Sequence, residues 1–333
     1  MPLTISLIIC LAVGFIFTLL AKKLNLPTVI GLIPAGLVLG SDFLSQAIIK
    51  PNTEVILTIG NIGLISLMFL AGLEISWSRL YKQKKYSTYL AGLAFFIPFI
   101  LGFSLFIALD YGLATALTVG LCLSITSEAT KARVLLEIKK IKTKIGSLMI
   151  GAGIIDDLLG IIFFTGISLW FCQALNIREL IVLFSAIAAF FIGTLTNKIC
   201  GRKRKTVQYL EKGLLRLIVP FFFIAMGLKF SLQSLTFNPW LLFIILITAI
   251  AGKMLGSLSL KFFSKFKLKQ LYLVGWGMNS RGAVEIAIAF TAFKFGLLNT
   301  PVYSSLIITA LISTLIFPIF ITRALKKNKH IMN

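Results

Sequence analysis

Two adjacent carboxylates, Asp156 and Asp157, stand inside the apolar stretch G-A-G-I-I-D-D-L-L-G. The apolar run that carries them begins near Lys144 and ends near Phe171. At about 1.5 Å per helical residue, Asp156 lies about 18 Å from the basic end of that run, near the middle of a bilayer. Two neighbouring carboxylates at that depth cannot both stay charged and unpaired. One must take a proton, bind a cation or pair with a base. A carboxylate that holds a proton and a cation by turns performs ion exchange. The competing reading is a structural salt bridge to a neighbouring helix, for which one aspartate would suffice.

Lys253, in A-I-A-G-K-M-L-G-S, is the evident partner for one aspartate. It lies about 12 Å from the basic end of its run at Lys261, so snorkelling to the interface is the alternative. Two polar segments interrupt apolar runs. One is Ser124-Ile125-Thr126-Ser127-Glu128-Ala129-Thr130 and the other is Gly275 to Gly282, which contains Asn279, Ser280 and Arg281. Irregular backbone at membrane depth is tolerated only where it is buried or lines a cavity. Broken helices there supply partial charges at their ends, and hydroxyls and carbonyls supply oxygens for a hard cation. The alternative is that these segments are loop ends. Thr126, Ser127 and Asn279 are thus candidate ligands beside the aspartates, one of which sodium and a proton would share by turns. Glu285 follows Arg281 by four residues, so the two share a helix face and pair as a structural element. Glu128 and Lys131 pair in the same way, as do Arg133 and Glu137.

The elements that position these groups are set by composition. The chain has 333 residues, 58% hydrophobic and 13% charged, with a mean hydropathy of +0.98. Soluble domains carry about 25% charged residues. Apolar runs at about 3–20, 28–44, 55–74, 87–109, 112–136, 145–171, 178–197, 214–232, 239–261, 271–297 and 302–322 predict an all-α polytopic membrane protein of about eleven transmembrane helices. The first run lacks the basic flank and small-residue cleavage site of a signal peptide. No long polar segment leaves room for a soluble catalytic or nucleotide-binding domain. The four cysteines are scattered, and the one histidine, His330, sits in a basic tail, so proton chemistry falls to carboxylates or a lysine.

A net charge of +22 raises the question of nucleic acid. The distribution answers it. Most of the 33 basic residues fall in alternate connections, namely Lys22–Lys23, 79–85, 139–144, 198–216 and 261–269, and in the tail from Arg323. The intervening connections carry few. Positive-inside alternation gives an outside N-terminus and a cytoplasmic C-terminus and excludes a nucleic-acid role.

Phe69-Leu-Ala-Gly-Leu-Glu-Ile-Ser76 resembles Ile224-Ala-Met-Gly-Leu-Lys-Phe-Ser231. Each follows a long apolar helix, and each precedes two spans of which the second is broken. The loop charges give the two copies opposite directions, which is the inverted repeat of many secondary transporters. The chain divides into a first repeat with the aspartate-pair helix at 1–171, a connecting helix and basic loop at 172–213, and a shortened second repeat at 214–333.

Together these pieces resemble the sodium/proton exchanger domain of the monovalent cation/proton antiporter superfamily, in the branch with an aspartate pair. The resemblance rests on L-P-T-V-I-G-L-I-P-A-G-L-V-L-G at 26–40, I-G-L-I-S-L-M-F-L-A-G-L-E at 62–74, T-S at 126–127, K-I-G-S-L-M-I-G-A-G-I-I-D-D at 144–157, P-F-F-F-I-A-M-G-L-K at 220–229, Lys253 and M-N-S-R-G-A-V-E-I at 278–286. It spans nearly the whole chain. It implies that Asp157 binds cation and proton alternately, that Asp156 pairs with Lys253, that two broken helices cross beside them, and that a core bundle moves against a dimerisation domain in a homodimer. The chain departs from the family at two points. Glu128 stands where a neutral residue is usual, and two helices usual before residue 214 are missing.

The expectation is a secondary antiporter, not an enzyme, that needs no cofactor and exchanges Na+ or Li+ for H+ electrogenically across a prokaryotic inner membrane. Glu128, Arg281, Glu285 and Lys253 are the charge-coupling candidates. Potassium/proton exchange is the alternative within the class, and a transport-inactive scaffold or sensor is the alternative outside it.

Overall fold

The computed structural model describes residues 2–23, 28–41, 44, 49–74, 84–126, 131–132, 134–135, 138, 140–141, 143–171, 177–200, 205–230, 238–327 and 331–332. These residues are mostly helical, with no strand among them. Among the described residues six helices are long and apolar enough to cross a membrane alone: Leu3–Lys23, Lys50–Leu73, Lys85–Ala108, Lys144–Phe171, Pro239–Phe263 and Thr300–Leu325. Two other predicted spans, 112–136 and 271–297, are interrupted, the first after Ser124 and the second between Met278 and Ala283.

The chain forms two compact units, one of Met1–Ile75 with Asn176–Ser231 and one of Ser76–Leu175 with Leu232–Asn333. The first holds α1 (Leu3–Lys23), α2 (Thr28–Leu39), α3 (Thr53–Glu74), α7 (Ile177–Cys200), α8 (Lys205–Gly213) and α9 (Val219–Leu228). The second holds α4 (Lys84–Ala108), α5 (Leu113–Ser124), α6 (Lys144–Phe171), α10 (Pro239–Ser259), α11 (Leu268–Met278), α12 (Ala283–Lys294) and α13 (Thr300–Lys327).

In the first unit, helices meet backbone to backbone at the glycines of the repeated motif. A Cβ on Gly72 of α3 would collide with the Phe190 carbonyl of α7, and one on Gly227 of α9 would collide with the Ile33 carbonyl of α2. The matched glycines of the two repeats therefore do the same work: small residues let membrane helices approach. Cys10, Leu39, Ile49, Ile56, Phe221 and Ile224 form an apolar core there.

One expectation changes. The stretch 197–214, predicted as a basic connection, contains α8, which runs on through a π-helical turn at Leu214–Ile218 into α9. Its few apolar residues are spaced for a helix, with Val207 buried and Lys205 and Lys212 exposed.

In the second unit both predicted breaks are present. α5 ends at Ser124, and Ile125 is extended (φ −77°, ψ 147°). α11 ends at Met278, and α12 resumes at Ala283 after Asn279, Ser280, Arg281 and Gly282. α10 starts cleanly because Asn238 accepts from the Leu241 N–H at 3.2 Å and Pro239 occupies the first helical position.

Candidate functional site

The site lies wholly within the second unit. Asp156 and Asp157 occupy the middle of α6, with side chains 0% and 6% exposed. Gly160, one turn after Asp156, makes room for the first break. A Cβ there would lie 2.7 Å from Ile125 Cδ1, so Ile125 seats against α6 and Thr126 follows it to the aspartate. Thr126 Oγ1 donates to Asp156 Oδ2 at 2.8 Å.

Lys253 reaches the same oxygen from α10, at 3.3 Å, with both side chains fully buried. Its ammonium also donates to the Ala94 carbonyl of α4 at 2.8 Å and to the Ser124 carbonyl. An ammonium has three protons to donate, and each finds an acceptor. The Ser124 carbonyl is available because α5 stops there, leaving its last carbonyls without partners in the helix.

Arg281 uses the same end of α5. Its Nη1 donates to the Cys122 carbonyl at 2.8 Å and its Nη2 to the Leu123 carbonyl at 3.1 Å. Nη1 also donates to Glu285 Oε1 at 2.5 Å, which is the i, i+4 pair read from the sequence. Two buried cations thus cap one half-helix at its negative end, where cations are favoured.

The candidates therefore form two groups joined by the end of α5. One is Thr126–Asp156–Lys253, with Asp157 beside it on α6. The other is Arg281–Glu285. Asn279 stands apart from both in its bonding: its Nδ2 donates to the Gly275 carbonyl at 3.0 Å, and its buried Oδ1 accepts no hydrogen bond. Asp156 Oδ1 and Glu285 Oε2 are likewise buried without a hydrogen bond. Ser127 and Glu128 lie outside the described residues, as do Arg133 and Glu137.

Lys131 was grouped in the sequence with Glu128, and its own surroundings are now visible. It is fully buried and donates to the Met149 carbonyl of α6 at 3.1 Å. Among the described residues the unit buries three cations, Lys131, Lys253 and Arg281, and three acids, Asp156, Asp157 and Glu285. The main-chain acceptors, Ala94, Cys122, Leu123, Ser124 and Met149, carry no side-chain signature. Helix breaks announce some of them: Ser124 opens the polar segment seen in the sequence.

Chemically, this is a buried carboxylate pair with one member held by a lysine and a hydroxyl at a helix break. It suits reversible binding of a proton or a hard monovalent cation. The family model described as sodium/hydrogen exchanger, transmembrane, matches residues 8–171 and again 166–327. The chain belongs to this family of transporters and is an integral, multi-pass membrane protein.

Among its relatives, a Na(+)/H(+) antiporter of Enterococcus hirae is 28% identical, over 92% of this chain and 94% of that protein. The Na(+)/H(+)-K(+) antiporter GerN of Bacillus cereus is 25% identical, over 90% of each. The structure of the sodium proton antiporter MjNhaP1 from Methanocaldococcus jannaschii at pH 8 matches with a TM-score of 0.66 at 18% identity, covering 98% of both chains. The alignment with the Enterococcus protein runs over 366 positions, more than the 333 residues here, so that relative has residues with no counterpart in this chain.

Proposed function

We propose that the protein exchanges Na+ or Li+ for H+ across the membrane. The observation that carries this is the buried Asp156–Asp157 pair, in which Thr126 and Lys253 hold Asp156 at the break after α5. In this reading Asp157 is the carboxylate that binds a proton and a cation by turns. Asp156 Oδ1, which accepts no hydrogen bond, and the Oδ1 of Asn279 are further oxygens for the cation.

Asp156 and Lys253 couple the two ions. When a cation draws on Asp156, Lys253 loses its counter-ion and releases a proton, while Asp157 releases another. Two protons then leave for one cation, and the cycle moves charge. Arg281 and Glu285 hold the broken helices together around this site and have no place in the proton count.

The remaining features belong to the same reading. The N-terminus faces outward and the C-terminus the cytoplasm of a prokaryotic cell. The inverted repeats at 1–171 and 214–333 are joined through 172–213, and the protein works as a homodimer. Potassium is the second candidate cation, favoured by the likeness to GerN, whose name includes it.

The test is proton efflux from acid-loaded everted vesicles on adding sodium, lithium or potassium, for wild type and Asp157→Asn. A cation-specific signal that is lost in the variant establishes the exchange and names the ion. No signal with any cation, from vesicles containing folded protein, sinks it and leaves the scaffold reading.

A further inference from the structure

Pro98 lies inside α4. Proline has no amide N–H, so it cannot donate to the carbonyl four residues earlier. Here that carbonyl belongs to Ala94. In an unbroken helix it would be occupied by its own chain. In α4 it accepts instead from Lys253 Nζ, at 2.8 Å, on another helix. Ala94 is fully buried, so solvent does not compete for it.

Close packing delivers the lysine to this spot. Gly252 and Gly256 flank Lys253 on α10. A Cβ on Gly252 would lie 2.6 Å from Pro98 Cβ, and one on Gly256 would lie 2.8 Å from Ala94 Cα. Glycines four apart let the two backbones approach at this segment. Lys253 therefore leaves α10 where that helix touches α4, over the carbonyl that the proline leaves unshared. The repeat has the same register: Pro98 precedes Lys253 by the same separation as Phe69 precedes Ile224. Proline and lysine thus hold equivalent places on equivalent helices.

We propose that Pro98 is a positioning residue for the exchange site, freeing the Ala94 carbonyl to hold the Lys253 ammonium beside Asp156. This rests on the exchange reading given above. Replacing Pro98 with an amide-bearing residue lets the Ala94 carbonyl bond within α4. The ammonium then keeps only the Ser124 carbonyl and Asp156.

The experiment uses full-length protein in vesicles, comparing wild type, Pro98→Ala, Lys253→Gln and the double variant. The pH profile of sodium-driven proton exchange and the pH dependence of thermal melting are both recorded. Pro98→Ala moves the profile by about one pH unit toward acid, the size expected for weakening one hydrogen bond to a charged group. In the Lys253→Gln background the same change moves nothing further, because the two residues act through one bond. Equal shifts in both backgrounds, or an unmoved profile in a variant that melts like wild type, overturn the proposal. If Pro98→Ala does not assemble, Pro98→Gly restores the amide without a side chain and reads the same effect. If wild type exchanges no cation, the exchange reading fails alone. The positioning role then stands or falls on whether Pro98→Ala changes the pH dependence of melting only when Lys253 is present.

Discussion

The two units are packed by the same device and filled with opposite contents. In each, glycines bring helix backbones into contact: Gly72 and Gly227 in one, Gly252 and Gly256 in the other. The first unit closes over an apolar core, and the polar side chains buried among its described residues are Ser6, Ser66 and Thr194, none charged. The second closes over Lys131, Asp156, Asp157, Lys253, Arg281 and Glu285. Stability of the first depends on shape. Stability of the second also depends on every charge keeping its partner, since a buried ion without one costs more than the pair contributes. A unit built that way is suited to a cycle in which partners change.

The contrast is sharpest at Arg281. Replacing it with alanine leaves Glu285 buried without its partner and strips the Cys122 and Leu123 carbonyls of their donors. The expected loss is about 3–5 kcal/mol, seen as a collapse of the melting temperature in detergent. A melting temperature near that of wild type would show that this unit tolerates unpaired charge, and the contrast would fail.

A smaller loss is expected from Gly72→Ala, whose Cβ collides with the Phe190 carbonyl in the first unit. Overpacking of this kind costs up to about 3 kcal/mol. The stabilisation given by added sodium should remain as in wild type. A changed sodium response would mean that the first unit shares in the ion chemistry.

Thr126→Val is the mildest change. It keeps the volume and removes the hydroxyl that donates to Asp156 at 2.8 Å. The expected effect is about 1.5 kcal/mol, or about a tenfold rise in the sodium concentration for half-maximal exchange, with melting little altered. Large unfolding with unchanged sodium dependence would make Thr126 a structural residue.

Much of this architecture is legible in the sequence for one reason: charge inside an apolar run is costly enough to stand out. Asp156, Asp157, Lys253 and Arg281 announce themselves, and so do the breaks at Thr126 and Asn279, where polar residues interrupt the runs. The repeat is legible because Gly72 and Gly227 meet the same packing demand. Main-chain groups are not legible, since a carbonyl has no letter of its own; the Ala94 acceptor is marked only indirectly, by a proline four residues later. α8 was hidden because a short amphipathic helix with flanking lysines looks like any basic loop. Asn279 stands at the break as expected, yet its amide nitrogen bonds within its own segment, a choice that spacing alone does not dictate.

The capping of α5 has a consequence for how the protein is made. Ribosomes deliver α5 long before Lys253 and Arg281 exist. Until those residues arrive, the carbonyls of Cys122, Leu123 and Ser124 lack the donors they have in the finished protein, and hydrocarbon supplies none. The first half of the chain must therefore wait beside water or the insertion machinery, half-built, for its second half to complete it.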